Sequence, residues 1–286
     1  LPSWPVYKLR SETNWQLNLP NGQRFDASGL FLRKNGELLT VNDRGAGAYK
    51  IQFLPNTNAA DLVLLTDCFT EKQLASFARE KIDRYDCEGI AEDNQGRIYL
   101  CEEANRWILR CDPKKKKVER LKIDWSPVQK YFLPNNHNAS FEGIAIGGGK
   151  LFVANERQKG RIIVVNLKTL KVVDDFTVRP SHTRAQDIHY SDLCWFENSL
   201  FALLRENRVV VKIDPKTHRV LAEYNFREME KEPDVAYHVF YPTSTMEGLA
   251  VNEKFIWLCT DNNGFSRKKS SGDTRPTLFK CPRPDK

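Results

Sequence analysis

The 286-residue chain has no apolar run near the roughly 18 residues that a membrane-spanning helix needs. None of its seven cysteines stands in a Cys-x-x-Cys pair, which argues against a structural zinc site. Gly-x-Ser-x-Gly is missing too, so the strained elbow of a conventional serine esterase is disfavoured. Cys-x5-Arg, the phosphatase loop spacing, does not occur. The run from Gly143 to Lys150 misses the phosphate-loop spacing by one residue and reads as a hairpin turn. Basic strands interleaved with aromatics, which would stack bases, are not evident, so nucleic acid is not an expected partner. Leu1-Pro2-Ser3-Trp4-Pro5 carries neither an initiator Met nor a signal peptide; we expect a processed, secreted or periplasmic protein.

What is present is an ordinary soluble composition, 41% hydrophobic and 28% charged. The formal net charge of +7 admits anionic partners without choosing among them. The densest basic run, Lys114 to Lys117, follows Asp112-Pro113 in what should be a solvated hairpin turn. Seven cysteines leave at least one unpaired within the chain. Cys101 and Cys259 occupy matching places in two repeats, as do Cys111 and Cys281, and buried thiols explain this as well as disulfides do. Asn138-Ala139-Ser140 is a glycosylation sequon, relevant only in a eukaryotic secretory setting.

The repeats organise the chain. Ser28-Gly29-Leu30, Glu88-Gly89-Ile90-Ala91, Glu142-Gly143-Ile144-Ala145, Ser191-Asp192-Leu193-Cys194 and Glu247-Gly248-Leu249-Ala250 are versions of one phrase, with lead residues 60, 54, 49 and 56 apart. Each phrase runs into a turn and a second strand, such as Leu38 to Val41 or Ile98 to Cys101. Propeller blades have periods of about 40 to 50 residues plus insertions. Four repeats offer four strands in a meander, while the last ends at Lys286 one strand short. The segment Trp15 to Leu19 is a spare strand that would fill the gap. We therefore expect an all-β, five-bladed β-propeller of four-stranded antiparallel blades, closed by an N-terminal strand and forming a single domain over 1–286. A short helix is expected from Glu71 to Glu80 within one long inter-blade connection, with Leu74 and Phe77 on one face.

Long connections gather on one face of such a disc, which makes it the working face. Ser28, Glu88, Glu142, Ser191 and Glu247 would ring the channel mouth there. Inward carboxylates repel one another unless something positive sits among them, and all-oxygen ligands without a His or Cys set suit calcium better than zinc. Alternatively, these Glu side chains only accept hydrogen bonds at blade starts. A second set lies at the ends of the second strands: Asp43 and Arg44, Glu102 and Glu103 with Arg106, Glu156 and Arg157, Arg205 and Glu206, and Asp261. The arginines would hold an anion and Asp43 or Glu156 would act on water, unless these acids and arginines merely pair between blades. His189 is the remaining substrate-contact candidate.

Glu-Gly-Ile-Ala and Glu-Gly-Leu-Ala blade starts, with Ile98-Tyr99-Leu100-Cys101-Glu102-Glu103, resemble the phytase-like propellers with esterase-like activity. The ring order Ser, Glu, Glu, Ser, Glu, with Leu39-Thr40-Val41-Asn42-Asp43-Arg44-Gly45, also resembles the calcium-activated apyrases. That resemblance implies a central calcium within the five ring residues and a substrate facing Asp43 and Arg44. Asn42 departs from it, since a second acid is expected there. The combined expectation is a monomeric, calcium-dependent hydrolase of phosphate esters or anhydrides acting on an anionic small molecule. Two alternatives stand beside it: a non-enzymatic propeller with structural calcium that binds a protein or carbohydrate, and a calcium-dependent lactonase or esterase using His189.

Overall fold

The computed structural model describes residues 2–77, 84–156, 159–183, 188–240 and 243–286. Two short strands, β1 (Val6–Lys8) and β2 (Thr13–Asn18), precede a series of meanders. The first holds β3 (Ala27–Leu32), β4 (Leu38–Asn42), β5 (Ala48–Phe53) and β6 (Ala59–Leu64), followed by a helical turn, α1 (Glu71–Leu74). Next come β7 (Cys87–Glu92), β8 (Ile98–Glu102), β9 (Trp107–Asp112) and β10 (Lys117–Arg120). The third meander is β11 (Phe141–Gly147), β12 (Lys150–Asn155), β13 (Arg161–Asn166) and β14 (Lys171–Phe176). The fourth is β15 (Tyr190–Phe196), β16 (Ser199–Leu204), β17 (Val209–Ile213) and β18 (Val220–Asn225), with α2 (Arg227–Glu230) after it. A three-stranded meander, β19 (Met246–Val251), β20 (Phe255–Thr260) and β21 (Thr277–Pro282), ends the chain.

Within each meander the strands pair antiparallel in sequence order. β2 lies antiparallel to β21, with Thr13 opposite Lys280, and parallel to β6, with Leu17 opposite Ala60. The first strands pack successively against one another, and β19 packs against β3. Among the described residues no helix is long and apolar enough to cross a membrane.

Burial falls from the axis outward, and the sequence follows it. Second strands are mostly apolar, as in Leu200 to Leu204, because both faces are covered by neighbouring sheets. Outer strands such as β10 alternate exposed and half-buried residues. The cores therefore lie between sheets: Phe152 and Val164 meet Leu193, Ala202 and Val211 across the third and fourth meanders. Each such buried Leu, Val or Phe contributes about 1.5–3 kcal/mol, so packing between sheets holds neighbouring meanders together.

Close approach at the axis explains the repeated glycine. A Cβ on Gly89 would sit 2.8 Å from the Gly143 Cα, and one on Gly143 would sit 2.5 Å from the Asp192 Cα. In the fourth meander the equivalent residue is Asp192, wholly buried, so one side chain occupies space that the others leave free.

The helix expected over Glu71 to Glu80 is a single turn, Glu71–Leu74, capped reciprocally by Thr70 and Gln73; residues 78–83 lie outside the described set. The cysteine question resolves in favour of one pairing, Cys68 with Cys111, whose Cα atoms are 5.7 Å apart. Cys87, Cys101, Cys194, Cys259 and Cys281 carry free thiols. Cys111 thus differs from its repeat counterpart Cys281.

Candidate functional site

Each first strand carries a register shift at its lead residue. Pairing skips Glu88 between Cys87 and Gly89, Glu142 between Phe141 and Gly143, Ser191 between Tyr190 and Asp192, and Glu247 between Met246 and Gly248. Between Ala27 and Leu30 it skips Ser28 and Gly29. A bulge leaves the extra residue out of the ladder and re-aims its side chain. All five lead residues are buried.

A second regularity assembles the mouth above them. In four of the five meanders the residue just beyond the second strand donates its backbone N–H to a carbonyl two positions before a lead residue: Asp43 to Asp26 at 3.1 Å, Glu103 to Asp86 at 2.8 Å, Glu156 to Ser140 at 2.7 Å and Asp261 to Thr245 at 2.8 Å. Three tiers of residues are thereby fixed by backbone hydrogen bonds. Two of the tiers add acids to the third.

Carboxylate oxygens of Asp43, Asp86 and Glu88 lie within 4.8 Å of one another, and so do those of Glu103, Glu142 and Glu156. Ser28 donates its hydroxyl to Glu88. Burial above all, then repulsion from Glu103, Asp86 and Asp43, holds the Glu88 carboxyl well above its ordinary range. Glu142 is raised likewise by burial and then by Glu156 and Glu103. Burial followed by Asp86 and Glu156 pushes Glu103 up to about 8, and burial followed by Asp261, Asp26 and Asp86 pushes Asp43 up to about 8. Two carboxylates about 4 Å apart repel by about 4 kcal/mol at an effective dielectric of 20. A hydrogen bond to a charged group returns only about 1.5–3 kcal/mol, so these clusters need protons or a cation.

The other half of the mouth is already compensated. Arg205, just beyond β16, pairs with Glu247 from the next meander and reaches Glu156 from the preceding one at 3.4 Å. Asp192 lies beside the ring, its Oδ2 accepting the N–H groups of Leu249 at 2.7 Å and Leu30 at 3.2 Å. That carboxyl, too, is raised well above its usual range, chiefly by burial.

Asp43 Oδ1 and Glu247 Oε2 are among the buried oxygens that have no hydrogen-bond partner within the described residues. With an all-oxygen donor set around them, the residues present fit a hard cation of the calcium type.

The structure brings together seven of the residues picked out from the sequence: Ser28, Glu88, Glu142, Glu247, Asp43, Glu156 and Arg205. Ser191 holds its bulge position on the same tier. Arg44 sits at the rim, about half exposed and 3.9 Å from Asp26. Arg106 is turned away: its Nη2 donates to the carbonyls of Leu133 and Asn136 while the guanidinium covers Phe132. His189 faces Glu206 at 3.4 Å and joins neither acidic cluster. Arg157 lies outside the described residues. Sequence reasoning passed over Asp86, and named Glu103 and Asp192 without giving either a place in the site. Asp86 could have been found by aligning the repeats on the lead residue, which puts it level with Asp26 two positions upstream.

Similarity to known proteins places this geometry. The chain matches glutaminyl cyclase from Myxococcus xanthus at a TM-score of 0.62, with 13% identity over 98% of this chain and 97% of that one. A luciferin-regenerating enzyme matches at 0.51, with 10% identity over 91% and 92%. At those identities the likeness is one of fold, and the fold is that of propeller enzymes. No curated protein matches the sequence. Residues 26–264, which contain every lead residue and the whole acidic mouth, match the family described as phytase-like, esterase-like activity of phytase, and the chain belongs to that family.

Proposed function

We propose that this protein is a five-bladed β-propeller, closed by β2 into one domain over 1–286, that hydrolyses phosphate esters or anhydrides at the acidic mouth with calcium as cofactor. The observation that carries this reading is the pair of carboxylate clusters, whose acids outnumber the arginines beside them, Arg84 on Asp86 at 3.8 Å and Arg205 on Glu156 at 3.4 Å, inside a family named for phytase and esterase-like activity. Ser28, Glu88, Glu142, Ser191 and Glu247 would hold calcium, supported by Asp43, Asp86, Glu103 and Glu156. Calcium, when bound, supplies the positive charge that draws in a phosphate and polarises its phosphorus–oxygen bond.

The protein's own groups do the rest. Arg44 at the rim and Arg205 within the mouth orient the anion. Glu156 or Asp43 takes a proton from a water molecule as the water oxygen bonds to phosphorus. The bond to the leaving oxygen breaks, and that oxygen is protonated from solvent. The Cys68–Cys111 disulfide supports an oxidising compartment, consistent with a secreted or periplasmic protein.

One observation favours a second reading. Arg205 is engaged by Glu247 and Glu156 across meanders, so the cation best placed for an anion is already spent. On that reading calcium is structural and the loops bind a protein or carbohydrate. Phosphate release from a panel of nucleoside diphosphates and phytate, with calcium or with chelator, decides between them. Turnover that requires calcium and is lost in Glu142→Gln establishes the hydrolase. A chelator-sensitive melt with no turnover on any substrate leaves the binding module.

A further inference from the structure

The axis has a second mouth. First strands run from the acidic face to the opposite one, where their C-terminal ends and the hairpin turns after them surround a funnel of about 1020 Å³. Below a polar rim its wall is apolar: Phe31, Ile146, Cys194, Trp195 and Val251 converge from four of the meanders, and all but Val251 are only half-buried. Trp195 is held by construction. Its ring stacks on Phe152 at 5.4 Å and 18°, and it lies so close over Gly147 that any Cβ there would fall inside the indole. A volume of this order suits a single small molecule, since ligand cavities run to about 300–1,000 Å³.

Charges at the rim select the head group. Arg33 is committed to Glu92 at 2.6 Å and Glu37 at 3.3 Å, and Asp93 is committed to Arg97 at 2.6 Å. What remains on the rim is Lys34 and Lys254 against Glu253, all three exposed and without an ion-pair partner among the described residues. The surplus is one positive charge above an aromatic-walled cavity. We propose that this funnel is a binding site for an amphipathic carboxylate, its hydrocarbon chain against Trp195, Phe31 and Ile146 and its head group against Lys34 and Lys254. The assignment is independent of the acidic mouth, which lies at the other end of the first strands.

Dodecanoate is the probe, titrated below its micellar range into the full chain by calorimetry and tryptophan fluorescence, in chelator to prevent calcium soaps. Saturable binding with a fluorescence change that disappears in Trp195→Phe is expected. Reversal of the rim, Lys34→Glu with Lys254→Glu, should weaken dodecanoate at least about tenfold while leaving uncharged dodecanol unaffected. Both lysines are exposed, so this variant tests the site even if Ile146→Arg, which should block the wall, does not fold. Absence of saturable binding overturns the proposal, as does dodecanoate binding that survives the lysine reversal unchanged. Equal loss of dodecanol and dodecanoate in that variant overturns the head-group assignment.

Discussion

Arg205 donates to Glu247 across the boundary between two meanders, and this one ion pair divides the mouth into a compensated half and an acidic half. Removing the guanidinium leaves Glu247 and Glu156 buried without their counter-charge. Breaking such a pair costs about 3–5 kcal/mol. Arg205→Gln should therefore melt well below the parent protein in chelator and recover most of the difference in calcium. A calcium-independent loss of the same size, read by thermal melting, would show that Arg205 serves packing alone.

Glu142 gives the converse test. It stands between Glu103 and Glu156 and is buried with them, so Glu142→Gln relieves repulsion. In chelator the variant should be at least as stable as the parent. In calcium it should lose most of the ion-dependent rise in melting temperature, with calcium affinity reduced by about tenfold or more. An undiminished calcium response would move the cation away from this cluster.

The raised carboxyls set a pH trend in the metal-free protein. Asp43 and Glu103 hold protons up to about 8 in the folded state, and Glu88 and Glu142 are raised too, against ordinary values near 4 in the unfolded chain. Between those limits the folded state binds more protons, so stability falls as pH rises. The melting temperature in chelator should drop by at least about 5 °C from about pH 5 to about pH 8. Calcium should flatten or reverse the trend, because it binds the deprotonated groups. A melting temperature in chelator that climbs over that interval would contradict the clustering.

Asp192 offers a stability prediction with no metal in it. Its carboxyl accepts backbone N–H groups from β3 and β19. Asp192→Ala orphans both, costing about 1–3 kcal/mol for each buried donor left unsatisfied. Asp192→Asn keeps one acceptor oxygen and should fall between the two in urea unfolding. Equal midpoints for Ala and the parent would deny the carboxyl its bridging role.

For the Cys68–Cys111 disulfide, replacing both cysteines with Ser should cost about 2–4 kcal/mol. The comparison that matters is reduced parent against the double variant, which should unfold at the same urea concentration. A gap between them would place the effect in side-chain packing instead.

Local periodicity made much of this architecture readable in advance. The lead phrases, the hairpin turns and the spare strand near Trp15 are written in short stretches of chain, and short stretches are what a sequence displays. The roles of Asp192 and Arg205 are not local. Asp192 occupies a glycine's place in the repeat, and only the crowding at the axis turns that oddity into a bridge to Leu30 and Leu249. Arg106 had the right residue type at the right rim, yet the carbonyls of Leu133 and Asn136, in a loop with no repeat to read, captured it. The two acidic clusters likewise depend on Asp86 and Glu103, tied to each other by a backbone bond within the second meander, meeting acids from the meanders on either side.

β2 is gripped on both edges, by β21 from the far end of the chain and by β6 from its own end. Thr13 and Lys280 are far apart in sequence, whereas β6 lies close to β2 and can pair with it early. The edges that wait are those between β2 and β21, and joining them closes the long loop from Thr13 to Lys280. Contacts of that separation slow folding more than they alter stability. Refolding should be rate-limited by this late event, and the waiting edges are where misassociation between copies would begin.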